Sequence, residues 1–539
     1  MTDARGSVSI GRTSAGLALG TLASRITGFL RVVAMAAALG LTDVADAYNI
    51  ANVTPNILYE LLLGGVLTSI VVPLLVRATR EEPDGGERFT QLFLTLVAAT
   101  LAAAAVIGVI AAPLLARLLG ATGPAERDVT TTFLRYFLPQ IAFYGIGATM
   151  TAILNTRRRF GAAAIAPVLN NLVVVVTALV FIAISDGRPT VNGLTTAQQA
   201  VLGVGTTLGV VVMTAALVPS LRSSGFRWRP RLGWHPALRR AARLAAWVFV
   251  YVAANQIGLF VIVRLAKAAG EGGITAYQYA FLLFQLPHAL VTVSVVTALV
   301  PRMSGHAVDG DLARLRADFS SGVRLIACVL VPAAMAYVVL AVPIATVVFN
   351  LGAFSQADAA FVGKVLSAFA FGLMSFSVFQ LLLRMFYVQQ DSRTPALVNI
   401  GANAINIAVD VALFAALDGR NRVVGLAVGH ATAYTVGAVV LARLMSRRLG
   451  GLDGFTVVRT LVRVALASAI GAAAAYGVAQ FARGTLGGSM VGSLVAVVGG
   501  VVVGGSFYVT CARRMAVREV QTVTDMVRRR LPRPRGRPV

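Results

Sequence analysis

Apolar segments of about 20 residues or more recur, with short polar breaks, along the whole of this 539-residue chain. Each is long enough to cross the hydrocarbon core of a bilayer as a helix. Backbone polar groups in lipid must be satisfied internally, and these runs are too long and too continuously apolar for barrel strands. The expected fold is therefore an all-α polytopic membrane protein of about 14 transmembrane helices. The spans are expected near 13–39, 46–76, 90–119, 128–154, 160–184, 197–220 and 238–266, then 274–301, 320–350, 357–389, 394–417, 423–445, 457–482 and 486–511. Only 13% of residues are charged, against about 25% in soluble proteins.

Loop charge sets the orientation. With the N-terminus cytoplasmic, the inner loops include "RATREEPDGGER", "NTRRRF", "RSSGFRWRPRLGWHPALRRAAR" and "RLMSRRLGG", and the tail "VRRRLPRPRGRPV" is also inside. Roughly 30 Lys and Arg then lie inside against about seven outside, the positive-inside pattern, and both termini are expected in the cytoplasm. The net charge of +25 is thus read as membrane topology, with no nucleic-acid partner expected. The polar start "MTDARGSVSIGRTSAG" has no early apolar core, so no removable signal peptide is expected. Trp228 and Trp234 read as interfacial anchors.

Two internal echoes are offset by roughly 230 residues, as expected of a transporter built on repeats. "LNTRRRFGAAAIAPVLNN" is answered by "FYVQQDSRTPALVNIGAN", and "TSIVVPLLVRA" by "TALVPRMSGHA". The expected organisation is a cytoplasmic N-terminus (1–12), a six-helix bundle (13–220) and an amphipathic connector (221–237). A second six-helix bundle (238–445), two extra helices (446–511) and a basic cytoplasmic tail (512–539) follow.

Enzyme chemistry has no support. No Gly-rich phosphate loop precedes either of the two lysines, Lys267 and Lys364. The four histidines (His235, His288, His306, His430) lack metal-ligand spacing, and Cys328 and Cys511 imply neither a disulfide nor a metal centre. What remains is a set of polar residues within the spans. Ser24, Gly28 and Arg31 fall at i, i+4, i+7 on the first helix, with Arg25 beside them. Asn52, Asn56 and Glu60 repeat at four-residue steps around Pro55. Asn255, Gln256 and Arg264 lie on the seventh helix, and Arg264, near its outer end, suits snorkelling as well as a cavity role. Asn399, Asn403, Asn406 and Asp410 form one polar face. Such residues can serve as interhelical glue. An intramembrane arginine, however, costs about 2.5–3.5 kcal/mol on insertion scales, which favours a functional role for Arg25, Arg31 and Asp410.

The stretches "TLASRITGFLRVV", "DAYNIANVTPNILYELLLGGVLTSIVVPLL", "AILNTRRRFGAAAIAPVLNN", "YQYAFLLFQLPHALVTVSVVTALVPRMS" and "LLLRMFYVQQDSRTPALVNIGANAIN" resemble the MurJ (MviN) type lipid II flippases. That family lies within the multidrug/oligosaccharidyl-lipid/polysaccharide exporter superfamily, and the Arg-rich, lysine-poor composition resembles an actinobacterial member. The resemblance implies two pseudo-symmetric six-helix bundles around a cationic cavity, with two C-terminal helices lining a hydrophobic groove. It implies a cargo as well: the undecaprenyl-diphosphate-linked peptidoglycan precursor, moved from inner to outer leaflet of the bacterial cytoplasmic membrane.

Carried over residue by residue, the family's helix-1 arginines match Arg25 and Arg31, and its helix-2 aspartate matches Asp46. Substrate contacts are thus expected from Arg25, Arg31, Asp46, Asn52, Asn56, Glu60 and Arg264. Ser24, Gly28, Pro55, Asn155, Pro287, Arg384, Asp391, Arg393 and Pro395 are expected to shape the motifs. Asn406 and Asp410 match part of a sodium site found in some relatives, although Ile262 or a neighbour stands at that site's helix-7 acid. Tyr59 and Leu282 stand where relatives commonly carry cavity arginines. No cofactor is expected beyond a coupling cation, sodium or proton, and the membrane potential. Membrane lipids and cell-wall synthesis or division proteins are the expected partners of a monomer. A cation-coupled multidrug antiporter, an exporter of another polyprenyl-linked glycan and a scaffold for cell-wall enzymes remain as alternatives.

Overall fold

A computed structural model describes residues 3–61, 75, 83–84, 86–157, 159–231, 233 and 236–521, with side chains described from residue 19 onward except for 236–251. Most of the 68–78 echo, Trp234, His235 and the tail beyond Gln521 lie outside these residues. The described chain is helical: α1 (Asp3–Leu39), α2 (Asp43–Tyr59), α3 (Glu87–Leu118), α4 (Pro124–Phe137), α5 (Gln140–Thr156), α6 (Gly161–Ala183), α7 (Thr196–Ala215), α8 (Leu217–Ser223) and α9 (Pro236–Ala268). Then come α10 (Gly273–Pro287), a π turn (His288–Thr292), α11 (Val293–Val308), α12 (Leu312–Phe349), α13 (Gln356–Ala370), α14 (Leu373–Val388), α15 (Arg393–Ala416), α16 (Asn421–Leu449), α17 (Gly454–Leu486) and α18 (Met490–Arg514).

Among the described residues 11 helices are long and apolar enough to span a membrane, or 12 if α13 and α14, bent by 50°, count as one. The expected count of 14 is thus approximate. The other two expected spans correspond to α2, described only as far as its first 17 residues, and to α9. Two expected single helices are broken. Leu138 and Pro139 separate α4 from α5, and Phe371 and Gly372 separate α13 from α14.

Packing divides the chain into two compact units, Met1–Thr275 with Leu351–Ser355, and Ala276–Asn350 with Gln356–Val539. By this measure α9 groups with the first unit, whereas the repeat suggested a boundary before it.

In the first unit α1 lies on α6, α6 on α7, and α2 on α4. Phe133, Phe137 and Phe181 are fully buried, and Tyr48 meets Phe133 and Phe137 edge-on at 5.9 and 5.3 Å. Glycines make close approach possible along α7, where Gly203 abuts Tyr136, Gly205 abuts Thr177 and Gly209 abuts Asn170. Without a hydrophobic driving force between helices in lipid, such small-residue contact is what membrane helices pack with. In the second unit the same device joins α17 to α18, where a Cβ on Gly471 would sit 2.6 Å from the Gly504 carbonyl oxygen.

Candidate functional site

The two arginines of α1 part company. The Asn171 amide of α6 donates to the Ser24 carbonyl and to the Thr27 hydroxyl at 3.2 and 3.1 Å, and Gly28 faces the same amide. Ser24 and Gly28 therefore belong to a helix contact. Arg25 is exposed, and Arg31 is half-buried. Its charge acts on the phenols of Tyr48 and Tyr144. Tyr59, the residue replacing an expected arginine, has its ring centroid 6.2 Å from that of Tyr144. Among the described residues no acid pairs with Arg31. Asn52 is half-buried, Asn56 and Glu60 are exposed, and Pro55 is buried inside α2.

Asp46 belongs to a different constellation. Thr42 caps α2 by accepting from the Ala45 N–H at 3.2 Å, which places Asp43 and Asp46 in the first helical turn. Glu126 occupies the first turn of α4 after Pro124, and Lys267 the last turn of α9. Acids at helix N-termini and a cation at a C-terminus each complement the helix dipole. The Lys267 ammonium lies 2.7 Å from Asp43, 2.6 Å from Glu126 and 3.7 Å from Asp46. Asp46, with no exposed surface, also accepts from the backbone and hydroxyl of Thr275 at 3.0 and 2.8 Å. The acids thus pair with Lys267, and Asp46 is not the counter-ion of Arg25 or Arg31. Arg264 is exposed at the end of α9 and donates to the Arg117 carbonyl at the end of α3, 3.3 Å away. That is a helix-end contact.

In the second unit the polar face of α15 is realised. Asn399, Asn406 and Asp410 are buried, and Asn403 donates back to the Asn399 carbonyl at 3.0 Å. Asn406 donates to one Asp410 carboxylate oxygen at 2.7 Å, while the other is buried with no hydrogen-bond partner and abuts Gly429 of α16. The next residue, His430, is enclosed by Phe281, Phe284, Phe369, Phe376 and Tyr434, with Nε2 unpartnered.

Asp391, Pro395, Arg384 and Pro287 are held in local contacts. Asp391 accepts from the Thr394 N–H and hydroxyl at 2.9 and 2.7 Å and pairs with Arg448 at 2.6 Å. Burial raises this carboxyl, but those Thr394 bonds and the Arg448 guanidinium outweigh it and hold it at about 2, below the ordinary 3.8. Pro395 is buried in the first turn of α15, Arg393 and Asn155 are exposed, and Arg384 lies over the Tyr387 ring at 5.9 Å. Pro287 has no N–H to offer the Leu283 carbonyl four residues back. The Tyr337 hydroxyl of α12 donates to that carbonyl instead, at 2.7 Å. Pro287 also borders an apolar groove of about 470 Å³ between α12, α17 and α18, with Pro332, Leu340, Gly471, Gly504 and Tyr508 in its walls.

Lys267, with Asp43, Glu126 and Thr275, went unassigned in the sequence. One signal was available: of 47 basic residues only two are lysine. A compact ammonium with three freely turning donors can serve three carboxylates, which a planar guanidinium fork does poorly.

A family model described as "Lipid II flippase MurJ" matches residues 35–497. The probable lipid II flippase MurJ of Rhizobium meliloti is 31% identical over 444 residues, covering 80% of each chain. The lipid II flippase MurJ of Burkholderia cenocepacia is 29% identical, covering 71% of this chain and 74% of its own. Among solved structures, a lipid II flippase MurJ in an inward closed conformation superposes with a TM-score of 0.75 at 19% identity, over 93% of this chain and 99% of that one. An inward-facing multidrug resistance MATE family transporter of the MOP superfamily gives 0.67 at 14% identity, over 80% and 96%. These structural likenesses speak to the fold.

Proposed function

Because the chain belongs to the MurJ family of lipid II flippases, we propose that it moves the undecaprenyl-diphosphate-linked peptidoglycan precursor from the inner to the outer leaflet of the bacterial cytoplasmic membrane by alternating access. It is a multi-pass transporter, not an enzyme. The observation that carries the residue assignment is Arg31: half-buried and, among the described residues, without an acidic partner, while Asp43, Asp46 and Glu126 are engaged by Lys267. A guanidinium so placed suits bidentate contact with a diphosphate, and Arg25 is the second candidate. The groove between α12, α17 and α18 suits the polyprenyl tail. Binding of lipid precursor to purified variants at equal folded concentration tests this. Arg31→Ala should abolish binding and Arg31→Lys restore it in part. Normal binding by both Arg25→Ala and Arg31→Ala would overturn the diphosphate role of the arginines.

Coupling is assigned to Asp410 and Asn406. A buried carboxylate with one oxygen unpartnered and, among the described residues, no cationic side chain paired with it is costly unless it takes a proton or a small cation, so the donor set fits either sodium or a proton. Asp410→Asn should change the dependence of transport on sodium or pH; unchanged dependence would make Asp410 structural. With a negative interior, two negative charges moved outward gain about 4.6 kcal/mol per 100 mV, at about 2.3 kcal/mol per charge. In the same reading both termini face the cytoplasm, the transporter acts as a monomer, and cell-wall synthesis or division proteins are partners for its basic tail sequence.

A further inference from the structure

Between Asp186 and Glu271 the chain contains no acidic residue at all, yet its 221–243 stretch carries seven arginines. The first part of that stretch is fixed to the first unit by side-chain bonds. Gln91 of α3 donates to the Arg227 carbonyl at 3.3 Å. The Thr95 hydroxyl donates to the Gln91 carbonyl and accepts from the Trp228 indole N–H at 3.2 Å and the Arg231 backbone N–H at 3.1 Å. Arg157, just after α5, donates to the Ser224 carbonyl at 2.5 Å and lies over the fully buried Phe226 ring at 5.5 Å.

This strap borders a cavity of about 860 Å³ with two chemically distinct parts. Its walls are apolar, with Phe143 and Ile146 from α5 and Val211 from α7. Its rim carries Arg222, Arg227 and Arg229, all exposed. Among the described residues none of the three has an ion pair or a side-chain hydrogen bond. Among the described residues no acid lines the cavity to compensate this positive rim.

We propose that this cavity is a binding site for an anionic phospholipid, its phosphate on the arginine rim and the upper part of an acyl chain against Phe143, Ile146 and Val211. Guanidinium forks match phosphate oxygens, and an apolar hollow directly behind them fits an amphiphile better than a free anion. In the proposed orientation the rim lies on the cytoplasmic side, where arginines meet anionic headgroups. The site is separate from the cargo arginines of α1.

The test is thermal unfolding of the purified full-length chain in neutral detergent, with added phosphatidylglycerol, phosphatidylcholine or glycerol phosphate. Phosphatidylglycerol should raise the midpoint, and neither of the others should. Arg222→Gln/Arg227→Gln/Arg229→Gln, at exposed positions, should keep the basal midpoint and lose most of the shift. Val211→Phe, which narrows the hollow while leaving the rim intact, should also reduce it. A full phosphatidylglycerol shift in the triple variant would overturn the site. An equal response to phosphatidylcholine would remove the charge recognition, and a response to glycerol phosphate would reduce the site to one for simple anions.

Discussion

Lys267 keeps three carboxylates together that would otherwise repel one another in a nearly closed setting, its own side chain being only 6% exposed. Removing one partner of a buried ion pair costs about 3–5 kcal/mol, because the remaining charge is left unpaired. Lys267→Met should therefore lower the unfolding midpoint in detergent strongly at pH 7, and adding Glu126→Gln should recover part of the loss. An unchanged midpoint in Lys267→Met would show that the cluster carries no stability. At Gly429 the constraint is steric, since a Cβ there would overlap the Asp410 carboxylate. Gly429→Ala should cost about 1–3 kcal/mol through overpacking, read from the same unfolding curves, and the penalty should shrink in an Asp410→Ala background.

Asp391 offers a residue whose pH behaviour can be worked out. Its folded-state value of about 2 lies below the ordinary 3.8, so its stabilisation is complete above about pH 4 and is lost as pH falls through about 2. Asp391→Ala should cost about 1 kcal/mol or more at pH 7 through the lost hydrogen bonds from Thr394 and the lost pair with Arg448. The gap between variant and parent midpoints should close between pH 4 and 2; a gap constant with pH would place the stabilisation elsewhere.

Among the elements, the π turn after Pro287 shows how a membrane helix tolerates an interruption. Val293 N–H returns to the His288 carbonyl, five residues back, and Tyr337 supplies the bond that Pro287 cannot give Leu283. Tyr337→Phe leaves that carbonyl unserved and should cost about 1–3 kcal/mol, measured by thermal unfolding in detergent. The helices themselves were legible from apolar run length, with ends within a few residues for the expected spans 160–184 and 394–417, observed as Gly161–Ala183 and Arg393–Ala416. The breaks at Pro139 and Gly372 were not, because hydrophobicity continues across them. Gly372 is needed where α16 crosses, its Cβ position lying 2.8 Å from the Ala431 Cα, and a single sequence does not record that neighbour. Likewise the Asn399–Asp410 face was readable from four-residue spacing, whereas Asp46 and Lys267, 221 positions apart, meet only in the fold.

For the whole molecule, loop charge argues that the 184–195 connection faces outward and the 309–311 turn inward. A cysteine introduced at exposed Asn192 should react with an impermeant maleimide in intact cells, and one at exposed Ala313 only after permeabilisation. Labelling of Ala313→Cys from outside would invert the topology. The scarcity of lysine gives the same molecule an intrinsic chemical reporter. An amine-directed reagent meets two lysines in the entire sequence, Lys364 on an exposed face and Lys267 enclosed by its three carboxylates. Acylation at Lys267 therefore measures how often the Asp43–Asp46–Glu126 enclosure opens, without any label being engineered into the chain.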